Sequence, residues 1–527
     1  MISISDQKNY ISNRGYVVFK DTITEKECID IRNELTVKPF VLKDYNIADS
    51  TIAFPVYLES KRKLYIPKFY GIKRFGNDVL DKTREGDTID VAFNGTLRAD
   101  QVDVVNTYLD VAHTIGGGII SLGCGSGKTT IALNICSRLG KKTLVVVHKD
   151  FLLTQWRERI SQFLPTARVG LIKQSKIKID DCDIVLASLQ SLAMREYLDT
   201  MLDSIGNVII DECHHISSEV FSRSLPKIAS KYMLGLSATP QRKDGLTKVF
   251  EWYLGDIIIE RKREVDATII VKCVNFYSNN KNYCEEKMNY TGKVNMAGMI
   301  NNIVDYNLRT ECILIYIIDL LAENRNILLL TDRLQHIDYI KKCVEDRDIC
   351  HVGKYVGGMK EKDLKASETC KLILATYSMA AEGMDIPHLD TLILASPRTD
   401  IEQSVGRILR KKAEDRAIKP IIVDIVDRFS IFLRQGQKRC TYYKKNKYNI
   451  VNTDYYSEGY ELEANNIANN SASSSLNKNN KNNKNGNTNT YTSRYTKTYV
   501  DNESNNTNDS LLRHLRFGSC VIRNDED

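Results

Sequence analysis

Thirteen cysteines in this 527-residue chain include no C-x-x-C pair and follow no regular spacing, which argues against a disulfide framework and for reduced thiols. The eight histidines offer no metal triad. No apolar run is long enough to cross a membrane: the longest, Ile313 to Ala322, is about half a span and contains Asp319. The start, Met1-Ile2-Ser3-Ile4-Ser5-Asp6, has neither a basic n-region nor an apolar h-region. These absences set the expectation of a soluble, intracellular protein. Charge of one sign is also scarce: 74 basic against 67 acidic residues leave +7, a mild excess that suits a polyanionic partner without requiring one.

What is present begins with a buried-strand pattern, Gly118-Ile119-Ile120-Ser121-Leu122, that empties into Gly123-Cys124-Gly125-Ser126-Gly127-Lys128-Thr129-Thr130. Glycines there let successive N–H groups curl around phosphate oxygens. Lys128 would reach the β- and γ-phosphates of a nucleotide, and the Thr129 hydroxyl would ligate Mg²⁺ at a helix N-terminus. Leu122 stands where the usual phosphate-loop pattern has its first glycine, so the loop read alone also fits a plain strand-to-helix turn.

Length implies about three domains at about 150 residues each. β-branched runs at Thr143 to His148, Asp183 to Ala187, Asn207 to Asp211 and Tyr232 to Ser237 alternate with helix-length segments, the signature of a doubly wound parallel sheet. The rhythm returns at Asn326 to Thr331, Lys371 to Thr376, Thr391 to Ala395 and Pro420 to Ile425, with a helix at Asn301 to Glu323. The expected organisation is α/β: an N-terminal accessory region (1–92), a first parallel-sheet domain (93–259), a connector (260–299), a second sheet domain (300–427), a basic and aromatic extension (428–452) and an Asn-rich low-complexity tail (453–527) expected to be disordered. Within residues 1–92 the readable features are a helix over Glu25 to Glu34 capped by Thr24 and a Tyr- and Lys-rich stretch at Tyr57 to Tyr70.

Asp211-Glu212-Cys213-His214 follows the apolar run Asn207 to Ile210, placing two carboxylates at a strand end. Beside a phosphate loop on a neighbouring strand, Asp211 would hold Mg²⁺ and Glu212 would orient or deprotonate the attacking water. Read alone, the tetrapeptide also fits a solvated acidic turn. Gln403, Arg407 and Arg410 recur at helical spacing and can share one face, either as a cationic cluster aimed at phosphate or as an ordinary basic helix.

In this order the segments resemble the motifs of superfamily 2 helicases and translocases over about Leu97 to Asp427: Asp211-Glu212-Cys213-His214 as D-E-x-H, Ser237-Ala238-Thr239 as S-A-T, Ala381 to Pro387 as motif V and Gln403 to Arg410 as Q-x-x-G-R-x-x-R. The resemblance implies two tandem RecA-like domains and an ATP-dependent helicase using ATP and Mg²⁺. It implies Gln101, in Leu97-Arg98-Ala99-Asp100-Gln101, at the adenine edge, and Gly383 and Asp385 at the nucleotide. Arg407 and Arg410 become arginine fingers, and His214, Ser237 and Thr239 couple hydrolysis to movement. Nucleic-acid contacts are expected at His148, Lys149, Ser188, Gln190, Arg242, Arg333 and Thr376, with no base-reading code. Arg333 fits a phosphate contact or a helix cap, Trp156 a core helix residue, and the run Arg434 to Lys447 either a backbone track or a solvated charge run.

The tract Ser-Ala-Thr-Pro-Gln-Arg-Lys-Asp-Gly at Ser237 to Gly245 is most similar to the XPB-type branch and to helicases of large DNA viruses, including the poxvirus transcript-release type. That implies DNA more than RNA as substrate, a place beside transcription or repair machinery, and, for a viral protein, residence in the host cytoplasmic factory or virion. Competing readings are an RNA helicase, a double-strand translocase without strand separation, and a non-catalytic nucleic-acid scaffold; the intact Lys128, Asp211, Glu212, Arg407 and Arg410 argue against the last.

Overall fold

The computed structural model describes residues 8–39, 53–123, 125–195, 200–217, 222, 224–242, 244–261, 266–382, 384, 386–410 and 416–457. The Asn-rich tail and the sites expected at Cys124, Gly383 and Asp385 lie outside the described residues. The chain divides into two compact units, Met1–Glu264 and Val265–Asp527.

The first unit opens with short strands β1 (Tyr10–Ser12), β2 (Gly15–Phe19), β3 (Thr36–Val37), β4 (Phe54–Pro55), β5 (Leu58–Glu59), β6 (Lys63–Ile66) and β7 (Leu80–Asp81). Five of them form a sheet in the order β5-β6-β2-β1-β7, while β3 pairs with β4. Residues alternate sides along a strand, so Ile11, Tyr16, Val18, Leu64 and Ile66 all enter the core, each at most 1% exposed. The β1–β2 turn requires Gly15: its φ is +97°, and a Cβ would stand 2.3 Å from the Ile66 carbonyl oxygen. Helix Glu25–Glu34 starts at a reciprocal cap in which Thr24 Oγ1 accepts from the Glu27 N–H and Glu27 Oε2 accepts from the Thr24 N–H. This layer is joined to the rest of the unit by Tyr253, whose hydroxyl donates to the Val56 carbonyl at 2.7 Å, and by Trp252 packed edge-on against Tyr70.

The larger sheet comprises β8 (Gly117–Leu122), β9 (Thr143–Val147), β10 (Val169–Lys173), β11 (Lys176–Lys178), β12 (Ile184–Ser188), β13 (Asn207–Ile210), β14 (Tyr232–Ser237) and β15 (Ile257–Arg261), ordered β11-β10-β12-β9-β13-β14-β8-β15. Every pairing is parallel except β10 with β11. Strands buried on both faces read as continuous apolar runs, as Leu144 to Val147 and Val208 to Ile210 do. Parallel pairing brings the carboxyl ends of β8, β9, β12, β13 and β14 to one edge. The strand before Asp211 is not the immediate neighbour of the phosphate-loop strand, because β14 pairs with both and lies between them.

In the second unit β16 (Ile270–Tyr277), β17 (Ile327–Thr331), β18 (Val352–Tyr355), β19 (Leu372–Thr376), β20 (Thr391–Leu394), β21 (Ile421–Asp427) and β22 (Asn449–Tyr456) form one sheet, ordered β18-β19-β17-β20-β21-β16-β22. Three sequence expectations change here. β16, read as part of a connector, pairs in parallel with both β21 and β22 inside the sheet. The helix expected over Asn301 to Glu323 is two helices, Met296–Val304 and Asn307–Ala322. Tyr306 turns extended between them, its ring packing on Phe276 and Tyr283 and its hydroxyl accepting from Ser278. The cationic run Arg434 to Lys447 falls largely on helix Ser430–Lys445, and part of it is core: Arg439 and Tyr443 are buried, with Arg439 Nε and the Tyr443 hydroxyl both donating to Asp424.

Candidate ATP site and nucleic-acid edge

Strand β8 ends at Leu122, and helix Lys128–Leu139 begins five residues past Gly123 with Gly127 at its N-cap. Gly125 and Gly127 both take left-handed backbone, φ +84° and +79°. At Gly127 there is a steric reason as well: a Cβ would stand 2.4 Å from Gln101 Nε2. The loop therefore needs glycine both to turn and to admit a neighbour closely. Lys128 lies at the first helical position, its amine donating to the Leu122 carbonyl at 3.1 Å, and Thr129 and Thr130 complete the first turn, where backbone N–H groups are not used within the helix.

Gln101 sits in the first turn of helix Ala99–Ile115, where its carbonyl accepts from the Arg98 N–H and its amide donates to the Ser126 carbonyl, both at 3.0 Å. It braces the phosphate loop from outside. One amide hydrogen and one lone pair remain for a ligand. Arg98 adds a second brace by donating to the same Ser126 carbonyl at 2.9 Å.

Asp211 and Glu212 follow β13. Asp211 Oδ2 accepts from the Trp156 indole N–H at 2.8 Å, and Oδ1 accepts from the Glu212 N–H at 3.0 Å. Burial and the adjacent Glu212 charge raise the Asp211 carboxyl above its ordinary range, against the lowering effects of Trp156 and Lys128. Glu212 is held at φ +46°, a left-handed conformation costly for a non-glycine residue and common at functional sites. Its buried Oε2 accepts no hydrogen bond from the described residues and lies 3.4 Å from His214 Nδ1. A half-buried carboxylate pair with one buried, unsatisfied oxygen, facing the same sheet edge as a left-handed glycine loop and a helix N-terminus, is a donor set that fits a Mg²⁺-bound triphosphate and an attacking water.

From Glu212 a chain of contacts continues through His214 Nδ1 to Ser237 Oγ at 3.1 Å and on to the Thr239 N–H, which donates to that hydroxyl at 3.1 Å. His214, Ser237 and Thr239 are thus brought together. Sequence reasoning did not foresee that His148, after β9, joins the chain: its ring stacks on His215 at 4.0 Å between centroids, and His215 on His214 at 4.2 Å. Trp156 was equally hidden as a partner of Asp211. Its signal was an aromatic donor on a buried helix face, which pattern alone cannot aim.

The remaining expected strand contacts divide. Lys149 and Ser188 occupy the N-cap positions of helices Asp150–Phe163 and Leu189–Met194, and Gln190 is exposed beside them. Ser188 and Gln190 line a shallow cavity of about 200 Å³ together with Lys173 and Arg195. Arg242 faces inward instead, its Nε donating to Asp244 Oδ1 at 2.9 Å and its guanidinium also reaching the His214 carbonyl, which ties the loop after β14 to the loop after β13. Arg333 neither stands free nor caps with its side chain: it donates to Asn301 Oδ1 at 2.6 Å and to the Ala297 carbonyl at 2.9 Å, because helix Met296–Val304 packs within its reach. Thr376 Oγ1 shares a hydrogen with Ser378 Oγ at 3.2 Å.

In the second unit helix Glu402–Arg407 carries Gln403 and Arg407, and ends before Arg410, so the three residues do not share one continuous helix face. Arg407 is 8% exposed and Arg410 half-buried. Both guanidinium groups donate to the Met384 carbonyl, at 2.7 Å from Arg407 and 3.0 Å from Arg410, and Arg407 Nε also reaches the Ala380 carbonyl. The two arginines are thus joined through the segment after helix Tyr377–Glu382.

Residues 94–242 match the family described as "Type III restriction enzyme, res subunit" (ResIII). Among curated proteins, "Putative ATP-dependent RNA helicase L396" of Acanthamoeba polyphaga mimivirus is 39% identical over 455 residues, covering 84% of this chain and 86% of that protein. "Putative helicase 161L" of Invertebrate iridescent virus 6 is 27% identical, covering 68% and 83%. "Putative ATP-dependent RNA helicase QP509L" of African swine fever virus (isolate Tick/South Africa/Pretoriuskop Pr4/1996) is 26% identical, covering 63% and 68%. With the glycine loop, the Asp211–Glu212 pair and the His214–Ser237 contact on one edge of a parallel sheet, the chain belongs to the ATP-hydrolysing helicase family of large DNA viruses, within superfamily 2.

Proposed function

We propose that this protein is a nucleic-acid-stimulated ATPase that moves along or unwinds DNA during viral transcription or repair, reading phosphate backbone and not sequence. The observation that carries the reading is the half-buried Asp211–Glu212 pair at the end of β13, left-handed at Glu212 and linked through His214 to Ser237. Lys128 and the N–H groups of Gly125, Gly127 and Thr129 would hold the phosphates, with Gln101 at the base. Thr129 and Asp211 would hold Mg²⁺, which when bound neutralises charge on the phosphates. Glu212 takes the proton of the attacking water, and Asp211, fixed by Trp156, keeps the carboxylates apart in role. Arg407 and Arg410 are the cationic groups that meet the triphosphate in the ATP-bound state, where such residues contribute about 10³ to 10⁵ in rate. Turnover is signalled along Glu212, His214 and Ser237 to the strand-end loops that carry Lys149, Ser188 and Gln190.

A second reading is an RNA helicase, favoured by the description of the mimivirus and African swine fever virus relatives as putative RNA helicases. ATPase rates measured with single-stranded DNA, duplex DNA and RNA over a salt series, beside strand displacement on each duplex, separate the two. The DNA reading expects the largest stimulation by DNA, declining steeply with salt. Stimulation by RNA alone would replace it with the second reading. Turnover equal in wild type and Lys128→Ala would remove the motor altogether.

A further inference from the structure

The N-terminal sheet packs one face into the core, and on its other face the described residues form a row that is only partly covered. Across all five strands the register places Leu80, Tyr10, Val17, Tyr65 and Leu58 in one row, since Tyr10 pairs with Leu80 and Val17, and Tyr65 with Val17 and Leu58. This row lies opposite the core residues Ile11, Tyr16, Leu64 and Ile66. Its ends are open to solvent, Leu80 at 64% and Leu58 at 47% exposed, while Tyr10 and Tyr65 are half-buried and flank a fully buried Val17. Phe19 adds a third ring, 6.1 Å from Tyr10.

Cations cover these rings. Lys63 Nζ lies 4.7 Å from the Phe19 centroid and 5.3 Å from that of Tyr10, Lys82 Nζ lies 4.6 Å from Tyr10, and the Arg14 guanidinium 5.8 Å from Tyr65. None of the row residues is a carboxylate, and neither is Phe19 nor Lys63 opposite it on β2 and β6. A partner protein matched to such a face would have to bring anions and flat apolar groups in alternation. A single strand of nucleic acid has that composition: phosphates for the three cations and unpaired bases for the three rings, each base–aromatic stack being tolerant of sequence. A duplex offers its phosphates but keeps its bases paired.

We propose that the outward face of the N-terminal sheet is a stacking platform for single-stranded nucleic acid, outside the ATPase machinery. On binding, bases take the ring faces of Tyr10 and Tyr65, and the amines of Lys63 and Lys82 move from ring to phosphate. The proposal rests on the reading of the chain as a nucleic-acid motor for the class of polymer, while its residues are separate from that motor.

The test uses the full-length chain without nucleotide, titrated into a fluorescein-labelled oligothymidylate and into a duplex of equal length, with anisotropy as the readout. Tyr10→Ala/Tyr65→Ala is expected to bind the single strand at least about tenfold more weakly while duplex affinity changes by less than about twofold. Tyr10→Phe/Tyr65→Phe restores binding, and Lys63→Gln/Lys82→Gln flattens the salt dependence. Unstimulated ATPase at the wild-type level certifies the fold of each variant. Unchanged single-strand affinity in the alanine variant overturns the platform and leaves the motor reading intact, as does an equal loss on duplex. A wild-type chain that binds neither ligand overturns both.

Discussion

The indole N–H of Trp156 donates to Asp211 Oδ2 at 2.8 Å, linking the face of helix Asp150–Phe163 to the end of β13. Trp156 is 2% exposed and the bond is partly buried; it stabilises the ionised form of a carboxyl that burial and Glu212 otherwise push upward. Trp156→Phe keeps the ring and removes the donor. Losing a hydrogen bond to a buried charge costs about 1.5–3 kcal/mol, so kcat for ATP is expected to fall by at least about tenfold. The Asp211 carboxyl then rises further, and since the ionised form is the active one, the acid limb of the pH–rate profile moves to higher pH. An acid limb that stays in place would separate Trp156 from Asp211 function.

Glu212→Gln preserves size and removes the base. Turnover is expected to fall by about 10² to 10⁴, while ATP still binds to the glycine loop, as equilibrium binding of a fluorescent ATP analogue would report. Loss of binding in step with turnover would assign Glu212 to the nucleotide pocket instead.

Arg309 and Asp427 form an ion pair with both side chains fully buried, at 2.6 Å, and Arg309 also donates to the Ala395 carbonyl while the Tyr283 hydroxyl donates to Asp427. Removing one partner leaves an uncompensated buried charge, a cost of about 3–5 kcal/mol. Arg309→Met is expected to lower the denaturant midpoint accordingly, and Arg309→Met/Asp427→Leu to recover part of it. A single variant as stable as wild type would contradict the account.

His336 is buried between Thr331 Oγ1, 3.0 Å from Nδ1, and Thr310 Oγ1, 3.4 Å from Nε2. Burial first, then the Arg309 charge, lowers its pKa from 6.5 to about 3. The native state therefore binds fewer protons than the unfolded chain between those values. Its contribution to stability is fully present above 6.5 and is lost as pH falls toward 3. Urea midpoints are expected to drop over that window in wild type and to drop less in His336→Gln, which cannot titrate; parallel profiles would exclude His336 as the acid-sensitive group.

Legibility in the sequence followed range. The β8 run into Gly123–Thr129 and the carboxylates after Ile210 were readable because each motif is contiguous and strand, turn and helix signals meet within a few residues. The Thr24–Glu27 cap was readable for the same reason. The intramolecular partners of Arg242 and Arg333 were not legible, because a basic side chain near a motif has no local mark that says whether it meets solvent or a carbonyl such as that of Ala297. The row Leu80–Tyr10–Val17–Tyr65–Leu58 was invisible, since its members come from five strands and only pairing register aligns them.

By itself the sequence determined the parallel α/β architecture, the left-handed glycine loop before helix Lys128–Leu139 and the strand-end position of the acidic pair, because hydrophobic period, glycine freedom and short-range spacing are properties of neighbours along the chain. Only the tertiary structure decided that β14 separates β8 from β13, that Trp156 and His214 serve the two carboxylates, that Arg309 pairs with Asp427 and that β16 belongs to the second sheet. Apart from the local His214–Glu212 contact, those relations join residues tens to more than a hundred positions apart. They are fixed by which strands pair and which side chains must satisfy one another once water has been excluded.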